Sequence, residues 1–337
     1  MIAIMTSILR KTTALRLLVQ WAFLGWCLFL GIQFSLFVEH YRSFGRTPDY
    51  LRPPGVEGFL PIGALVSLKN WLVNGQFDTI HPAALVLLLT FFTMSLLAKK
   101  SFCSWLCPVG TVEEGLWRLG RKLCGRNFTI WRWLDIPLRA LKYALLLFFF
   151  KLIIIDMPAA VLQGFLAAPY WAVADVRMLH FFTGLSPLSL GVILLLALLS
   201  VFYQNFWCRY LCPYGALVGL LSMLSPLKIR RSDEHCVHCG ACSRACPAQL
   251  PVAEKTVIRS PECTACLGCV SSCPEAAALG IRLPFLQRAI PGWGFGLLVL
   301  TLFFTGVAAG MLSGHWHTSL TPEDFQRLIP MAERFGH

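Results

Sequence analysis

The stretch from Cys236 to Pro274 limits what this chain can fold into more than any other. It reads CVHCGACSRACP, then a spacer, then CTACLGCVSSCP. Each half is C-x2-C-x2-C-x3-C-P, the spacing with which thiolates hold a [4Fe–4S] cluster. Three cysteines at steps of three on a tight loop grip three corners of one cubane, and the fourth lies too far round and serves the other cluster. The spacing therefore assigns Cys236, Cys239, Cys242 and Cys273 to one cluster, and Cys263, Cys266, Cys269 and Cys246 to a second. Pro247 and Pro274 turn the chain away after each fourth cysteine. Gly240 and Gly268 allow tight backbone whose N–H groups point at sulfur. Structural zinc would take four cysteines in two CxxC pairs, and eight in this repeat fit it poorly. Disulfides would need no repeated register.

The surrounding sequence belongs in a membrane. Of 337 residues, 56% are hydrophobic and 14% charged, with a mean hydropathy of +0.64. A soluble domain is nearer ~25% charged. Apolar runs at Leu17–Val38, His81–Ala98, Pro137–Met157, Pro187–Tyr203 and Ile290–Leu312 approach the ~20 residues that cross a bilayer. The first is too long for a cleavable signal and has no clear small-residue cleavage site, so it reads as a retained span. Phe59 to Leu72 is short and carries Lys69, which suits an interfacial or re-entrant piece. Residues 158–185 form a second apolar outer loop. Arg118 to Arg139, with Trp117, Trp131 and Trp133, suits a helix at the lipid–water boundary.

Charge orients the spans. The net charge of +12 follows from loop asymmetry, so it gives no reason to invoke nucleic acid. Loops 1–16, 99–142 and 204–288 carry three, nine and nine Lys plus Arg; the opposite side carries seven, Arg42, Arg46, Arg52, Lys69, Arg177, Arg327 and Arg334. Positive loops stay cytoplasmic. The N-terminus and the cluster-binding module are thus expected in the cytoplasm, where reduced thiols persist, and the C-terminal tail in the periplasm of a bacterial inner membrane.

Two further cysteine pairs repeat, FCSWLCPVG at Phe102–Gly110 and WCRYLCPYG at Trp207–Gly215, with an offset of 105 from Cys103 to Cys208 and from Cys107 to Cys212. Pro82 and Pro187, at the starts of the preceding spans, share the offset. Two units of span, outer loop, span and CxxxCP turn, entering the membrane in the same direction, are related by an axis along its normal. That symmetry brings Cys103, Cys107, Cys208 and Cys212 together. Cysteines at i and i+4 share a helix face, so the four make a candidate shared third iron–sulfur site. The alternatives are packing or docking turns with free thiols, or redox-active pairs. Cys27 and Cys124 read as unliganded small apolar residues. The expected fold is an all-α integral membrane protein of about five transmembrane helices, in two parallel two-helix repeats, with an inserted cytoplasmic two-cluster bacterial-ferredoxin-like module. Its divisions are 1–136, 137–225, 226–284 and 285–337.

Both CxxxCP turns, both C-x2-C-x2-C-x3-C-P runs and the loop RPPGVEGFLPIGAL resemble the NapH family of membrane-bound polyferredoxin quinol dehydrogenases, associated with periplasmic nitrate reductase. The membrane portion of NosR regulators, MauN and the CcoG (RdxA) proteins look related. The resemblance covers about residues 15–285. This chain adds a fifth span and a tail to the four usual in NapH. It has no large extra domain like NosR's flavin domain, nor the periplasmic domain expected of CcoG. The resemblance implies electron transfer between membrane quinol and an extracytoplasmic partner: an iron–sulfur protein, a cytochrome or a molybdoenzyme. Two other functions stay open. One is a maturation or regulatory factor that reduces a metal or thiol centre of a partner enzyme; the other is a conduit from cytoplasmic ferredoxin to quinone.

Quinol oxidation releases protons, and a His–carboxylate pair accepts them. His40, His81 and His180 lie near the outer boundary with Glu39, Asp78 and Asp175 nearby in sequence. Lys151, within a span, either faces the bundle interior beside a quinone, pairs with Asp156, or snorkels from a helix end. In the tail, His315, Trp316 and His317 suit an interfacial anchor and partner contact.

Overall fold

The computed structural model describes residues 2–284 and 289–334, with side chains from Thr12 onward other than Arg132. The charges of Arg10, Lys11, Arg132 and Arg288 used for orientation lie outside the described side chains, and His337 lies outside the described residues.

The chain is mostly helical, and proline opens seven of the helices. In order they are α1 (Ile2–Arg42), α2 (Pro61–Asn74), α3 (Pro82–Ala98), α4 (Ser101–Trp105), α5 (Pro108–Cys124), α6 (Arg132–Phe150), α7 (Ala159–Leu166), α8 (Pro169–Ala172), α9 (Ala174–Thr183), α10 (Pro187–Phe202), α11 (Phe206–Tyr210) and α12 (Pro213–Leu221). Then come β1 (Lys228–Arg231), α13 (Ala241–Arg244), β2 (Val257–Ile258), α14 (Gly268–Ser271), β3 (Leu279–Arg282), α15 (Gly292–Leu312) and α16 (Pro322–Leu328). Proline suits the first helical position because its missing N–H would be unpaired there in any case.

Among the described residues, two helical stretches are long and apolar enough to cross a membrane by themselves, Thr12–Arg42 and Gly292–Leu312. Two more qualify as bent pairs. Trp133–Ile155 breaks by 100° before Ala159–Leu166, and Ala174–Thr183 turns by 77° into Pro187–Phe202. Helix α3 is apolar throughout but has 17 residues. The first break has a local cause: α6 ends in a π-helical turn over Lys151–Ile155, and Pro158 follows. A π-turn loosens the backbone ladder, and proline cannot extend it. Large apolar side chains face outward, Leu188, Leu28 and Leu312 among them, as a chain solvated by lipid requires.

The fold resolves into two compact units. Unit 1 comprises residues 1–24, 91–146 and 193–303; unit 2 comprises 25–90, 147–192 and 304–337. Unit 1 carries every cysteine motif and a three-stranded antiparallel sheet in the order β2-β1-β3, with Ile229 opposite Ile258 on one side and Ile281 on the other. These three isoleucines are buried. In the same unit, α5 ends at Gly125 in the left-handed region. Trp117, which the sequence suggests for the lipid boundary, is buried with Arg118 and Arg121 stacked on its ring, whereas Trp131 and Trp133 are exposed.

Unit 2 packs around Phe34, Phe37, Val38, Val173, Val176 and Ile329. A second core joins Leu60, Val66, Ile153, Leu162 and Trp171. Helix α2, expected as an interfacial or re-entrant piece, buries Gly63, Ala64, Val66, Ser67 and Asn70. Its Lys69 ammonium donates to the carbonyls of Ile153 and Ile154 at 3.0 and 2.9 Å, and to that of Met157, at the break after α6. Those carbonyls lose helical partners where the ladder stops, and Lys69 supplies donors for them.

Candidate iron–sulfur sites

The two cysteine loops of the module follow the same backbone path. In the first, left-handed residues His238 and Gly240 flank Cys239; in the second, Ala265 and Leu267 flank Cys266. The second loop thus places leucine where the first has glycine. Gly268 instead opens α14 and directs its N–H at the Cys266 sulfur. A left-handed leucine costs roughly 1–2 kcal/mol, and burying its side chain offsets that by about 1.5–3 kcal/mol; Leu267 is 2% exposed.

A cavity is lined by Cys246, Cys263, Cys266 and Cys269, walled by Ile229, Leu250 and Ile258. Another is lined by Cys236, Cys239, Cys242 and Cys273, beside Arg231 and Leu279. The fourth cysteine of each run therefore sits with the other loop. Burial pushes the Cys246 thiol up to about 12 and raises Cys269 well above its ordinary value. Cys236, at the surface, is held lower by the His238 N–H and by Arg231. Ligation of a metal would take these thiols as thiolates and displace their protons.

Among the described residues, no three His, Cys, Asp or Glu side chains converge on a single ion. Zinc needs four ligands about 2.3 Å from one point, whereas a cubane offers each thiolate its own iron. Four thiols spread around an apolar-walled cavity fit the cluster.

The two CxxxCP turns are built alike. Cys103 lies in α4 and Cys208 in α11, while Cys107 and Cys212 cap the N-termini of α5 and α12. The Cys107 N–H donates to the Phe102 carbonyl at 2.9 Å, and that of Cys212 to the Trp207 carbonyl at 3.0 Å. Gly110 and Gly215 each direct an N–H at the capping sulfur, at 3.5 and 3.2 Å. Gly110 tolerates no side chain, because a Cβ would stand 2.3 Å from the Cys103 carbonyl oxygen. The four thiols form one electrostatic group: Cys107 senses Cys103 and Cys212, and Cys208 senses Cys212, Cys107 and Cys103. Burial pushes the Cys103 thiol up to about 11, with Lys100 opposing. Cys27 is half-buried and Cys124 exposed, both unpaired with other cysteines.

Side chains tie these turns to the module. The Ser104 hydroxyl donates to the Thr264 carbonyl at 2.6 Å, and Trp105 Nε1 to the Ala265 carbonyl at 3.3 Å. Arg209 donates to the Ala248 carbonyl at 2.7 Å and is held by Asp135 at 2.9 Å. Lys99, fully buried, donates to the Ile258 carbonyl at 3.1 Å. Lys142, also fully buried, meets Glu262 at 2.5 Å, and the Tyr143 hydroxyl donates to the same carboxylate at 2.7 Å. Glu262 immediately precedes Cys263.

Unit 2 holds a buried ionic group that sequence reasoning gave only in part. Arg52 bridges Glu57 at 2.8 Å and Asp175 at 2.7 Å. His81 Nδ1 lies 3.2 Å from Arg52 Nη2 and 3.4 Å from Glu57 Oε1. Its Nε2 donates to the Trp171 carbonyl at 2.7 Å; a carbonyl only accepts, so that nitrogen carries a proton and Nδ1 is the variable position. His81 thus joins Glu57 and Asp175, whereas the carboxylate of Asp78 turns to Ser67 and to Trp171 Nε1. The only hint in the sequence was a pair of opposite charges in the loop RPPGVEGF. The other candidates stand apart. His40 meets the Thr47 carbonyl at 2.5 Å. His180 lies 3.9 Å from Glu333 and not against Asp175. Lys151 pairs with Asp156 at 2.5 Å with both side chains well exposed.

Apolar helices together with thiols grouped in fours define a membrane-embedded iron–sulfur electron carrier. A family model described as "4Fe-4S binding domain" matches twice, over residues 80–127 and 185–232, and one described as "4Fe-4S dicluster domain" matches residues 228–274. The chain is 44% identical over 333 residues, 97% of its own length and 93% of the relative's, to the Escherichia coli (strain K12) protein named "Putative electron transport protein YccM". It is 27% identical over 223 residues to the "Ferredoxin-type protein NapH" of the same organism, covering 63% of this chain and 71% of NapH. It is 30% identical over 204 residues to the "Regulatory protein NosR" of Pseudomonas aeruginosa, covering 55% of this chain and 25% of NosR. No solved structure matches. The chain belongs to the NapH-type family of membrane ferredoxins, iron–sulfur proteins of electron transport.

Proposed function

We propose that this chain oxidises membrane quinol and delivers the electrons to an extracytoplasmic redox partner: an iron–sulfur protein, a cytochrome or a molybdoenzyme. The observation that carries the reading is the gathering of thiols into three groups of four within one unit. Cys236, Cys239, Cys242 and Cys273 hold one [4Fe–4S] cluster; Cys263, Cys266, Cys269 and Cys246 hold a second. Cys103, Cys107, Cys208 and Cys212 hold a third iron–sulfur centre between the two CxxxCP turns. When bound, the clusters supply one-electron steps. The chain's own residues do the rest: buried Ile229 and Ile258 exclude water from the cavity of Cys263, Cys266, Cys269 and Cys246, and glycine N–H groups are directed at the capping sulfurs. Of the polar candidates near the outer boundary, His81 is the proposed proton acceptor, because two buried carboxylates and one arginine leave the group one positive charge short.

In this reading the protein sits in a bacterial inner membrane with five spans. The N-terminus and the cluster module are cytoplasmic and the tail periplasmic, supported by the three-to-one distribution of Lys and Arg between the two sets of loops. The test is anaerobic addition of a quinol analogue to the purified, cluster-loaded protein with cluster reduction followed by EPR. Reduction on quinol addition is expected. A protein that dithionite reduces and quinols of different potential do not is no quinol dehydrogenase. That result would favour the second reading, a regulatory or maturation factor reducing a partner's metal or thiol centre, which has in its favour the likeness to a relative named a regulatory protein.

A further inference from the structure

Beside the CxxxCP thiols lies a set of charges that the quinol-dehydrogenase reading does not use. Helix α3 ends at Ala98, and Lys99 takes a left-handed conformation, φ 57°. The reversal sends two successive lysines to different tasks. Lys99 reaches the β2 carbonyl of Ile258, next to the second cluster's Cys263. Lys100 is 4% exposed and turns to the four-thiol group. Its Nζ stands 3.5 Å from where a Cβ on Gly215 would be, and the Cys212 sulfur stands 3.4 Å from the same point. A larger residue at 215 would fill the space that ammonium and sulfur share. The Lys100 ammonium, a cation as lysine ordinarily is, lies within electrostatic reach of Cys103, Cys208 and Glu262 as well. Lys142, the other buried lysine here, is taken up by Glu262. Lys142 acts on Cys103 from within its pair with Glu262, so Lys100 is the nearer, unneutralised positive charge beside these thiols, and Glu262 the negative charge that opposes it.

We propose that Lys100 is the residue that sets the reduction potential of the centre held by Cys103, Cys107, Cys208 and Cys212, with Glu262 acting in the opposite sense. The inference rests on the third-centre reading above. Four thiolates on a cubane leave it net negative, and one added electron makes it more so, with no bond formed or broken. A buried ammonium beside the sulfurs favours that extra electron, and in a poorly solvated site such charge effects are large. Potentials of such clusters respond to net charge and to hydrogen bonds at sulfur.

The experiment is a redox titration of the full-length protein in detergent, with dithionite as one-electron reductant and EPR as readout, beside iron analysis of each variant. Lys100→Gln is expected to reduce the equilibrium constant for reduction of the third centre at least tenfold, about 59 mV downward for one electron. The cluster of Cys236, Cys239, Cys242 and Cys273 should keep its potential, and Lys100→Arg should recover most of the shift. Glu262→Gln should move the third centre upward, together with the neighbouring cluster of Cys263. A structural role for Lys100 moves neither potential in a signed manner. Should Lys100→Gln lose the centre, Lys100→Arg and Glu262→Gln decide: a downward shift or none in Glu262→Gln overturns the proposal. Unchanged midpoints in an iron-replete Lys100→Gln overturn it as well. Failure of the underlying reading looks different: a Cys103→Ser/Cys208→Ser variant then keeps all its iron and every signal.

Discussion

Leu267 shows how little room the cysteine loops leave. Their middle cysteines are flanked by left-handed residues, three of them not glycine, and burial of the Leu267 side chain offsets the cost at that position. Ligand loss should therefore be local in cause and wide in effect. Cys239→Ser or Cys266→Ser is expected to remove one cluster's EPR signal and about four Fe per chain; full iron retention in either variant would exclude that cysteine as a ligand. Glu113 offers a pH prediction. Its Oε1 accepts from the Ser200 hydroxyl at 2.6 Å, and the Trp207 backbone N–H is directed at the same carboxylate. Burial pushes its pKa up to about 7. The folded state thus binds this proton more tightly than the unfolded chain does. Stability is highest below the ordinary carboxylate range, falls as pH rises towards about 7, and stays low above it. The cost above pH 7 is about 3 kcal/mol. Glu113→Gln should raise the melting temperature at pH 8 more than at pH 5; an equal change at both would refute the assignment.

At the scale of elements, close backbone approach decides which substitutions the helices accept. A Cβ at Gly120 in α5 would lie 1.8 Å from the Val201 carbonyl oxygen in α10. Gly120→Ala must push the two helices apart, and overpacking of this kind costs typically 1–3 kcal/mol. Gly25 in α1 has nothing within 4 Å of a Cβ, so Gly25→Ala should leave thermal stability unchanged or raised by up to about 1 kcal/mol. Equal melting temperatures for the two variants would mean that α5 and α10 are not in contact. The same contrast explains what the sequence could say. Membership in an iron–sulfur membrane family was legible because cysteine spacing and apolar runs are local signals. The break after α6 was not: residues 137–157 read as one apolar span, and nothing in that run announces the π-turn or the 100° bend at Pro158. The grouping of Arg52, Glu57, His81 and Asp175 was not legible either, since these residues lie on separate segments up to 123 positions apart. Lys100, Lys142 and Glu262 escaped for the same reason. Each looks like an ordinary loop or interfacial charge until the fold buries it.

For the whole molecule, the three thiol groups imply about twelve Fe per chain when all hold a [4Fe–4S] centre. Iron analysis of about eight after anaerobic reconstitution would leave the CxxxCP turns without a cluster. A phosphatase fused after His337 should be active only outside the cytoplasm, and one inserted near Lys255 only inactive; the opposite pattern would reverse the orientation. One feature of the CxxxCP turns reaches beyond the finished protein. Their four sulfurs come together from two segments 105 residues apart. At synthesis rates of about 5–20 residues per second, Cys103 and Cys107 leave the ribosome some 5–20 s before Cys208 and Cys212 exist. During that interval the earlier pair has only half of its eventual neighbours. Any centre shared by the two turns is closed late, and its closure reports that both halves of the chain have reached their places, an assembly checkpoint written into the spacing of two short turns.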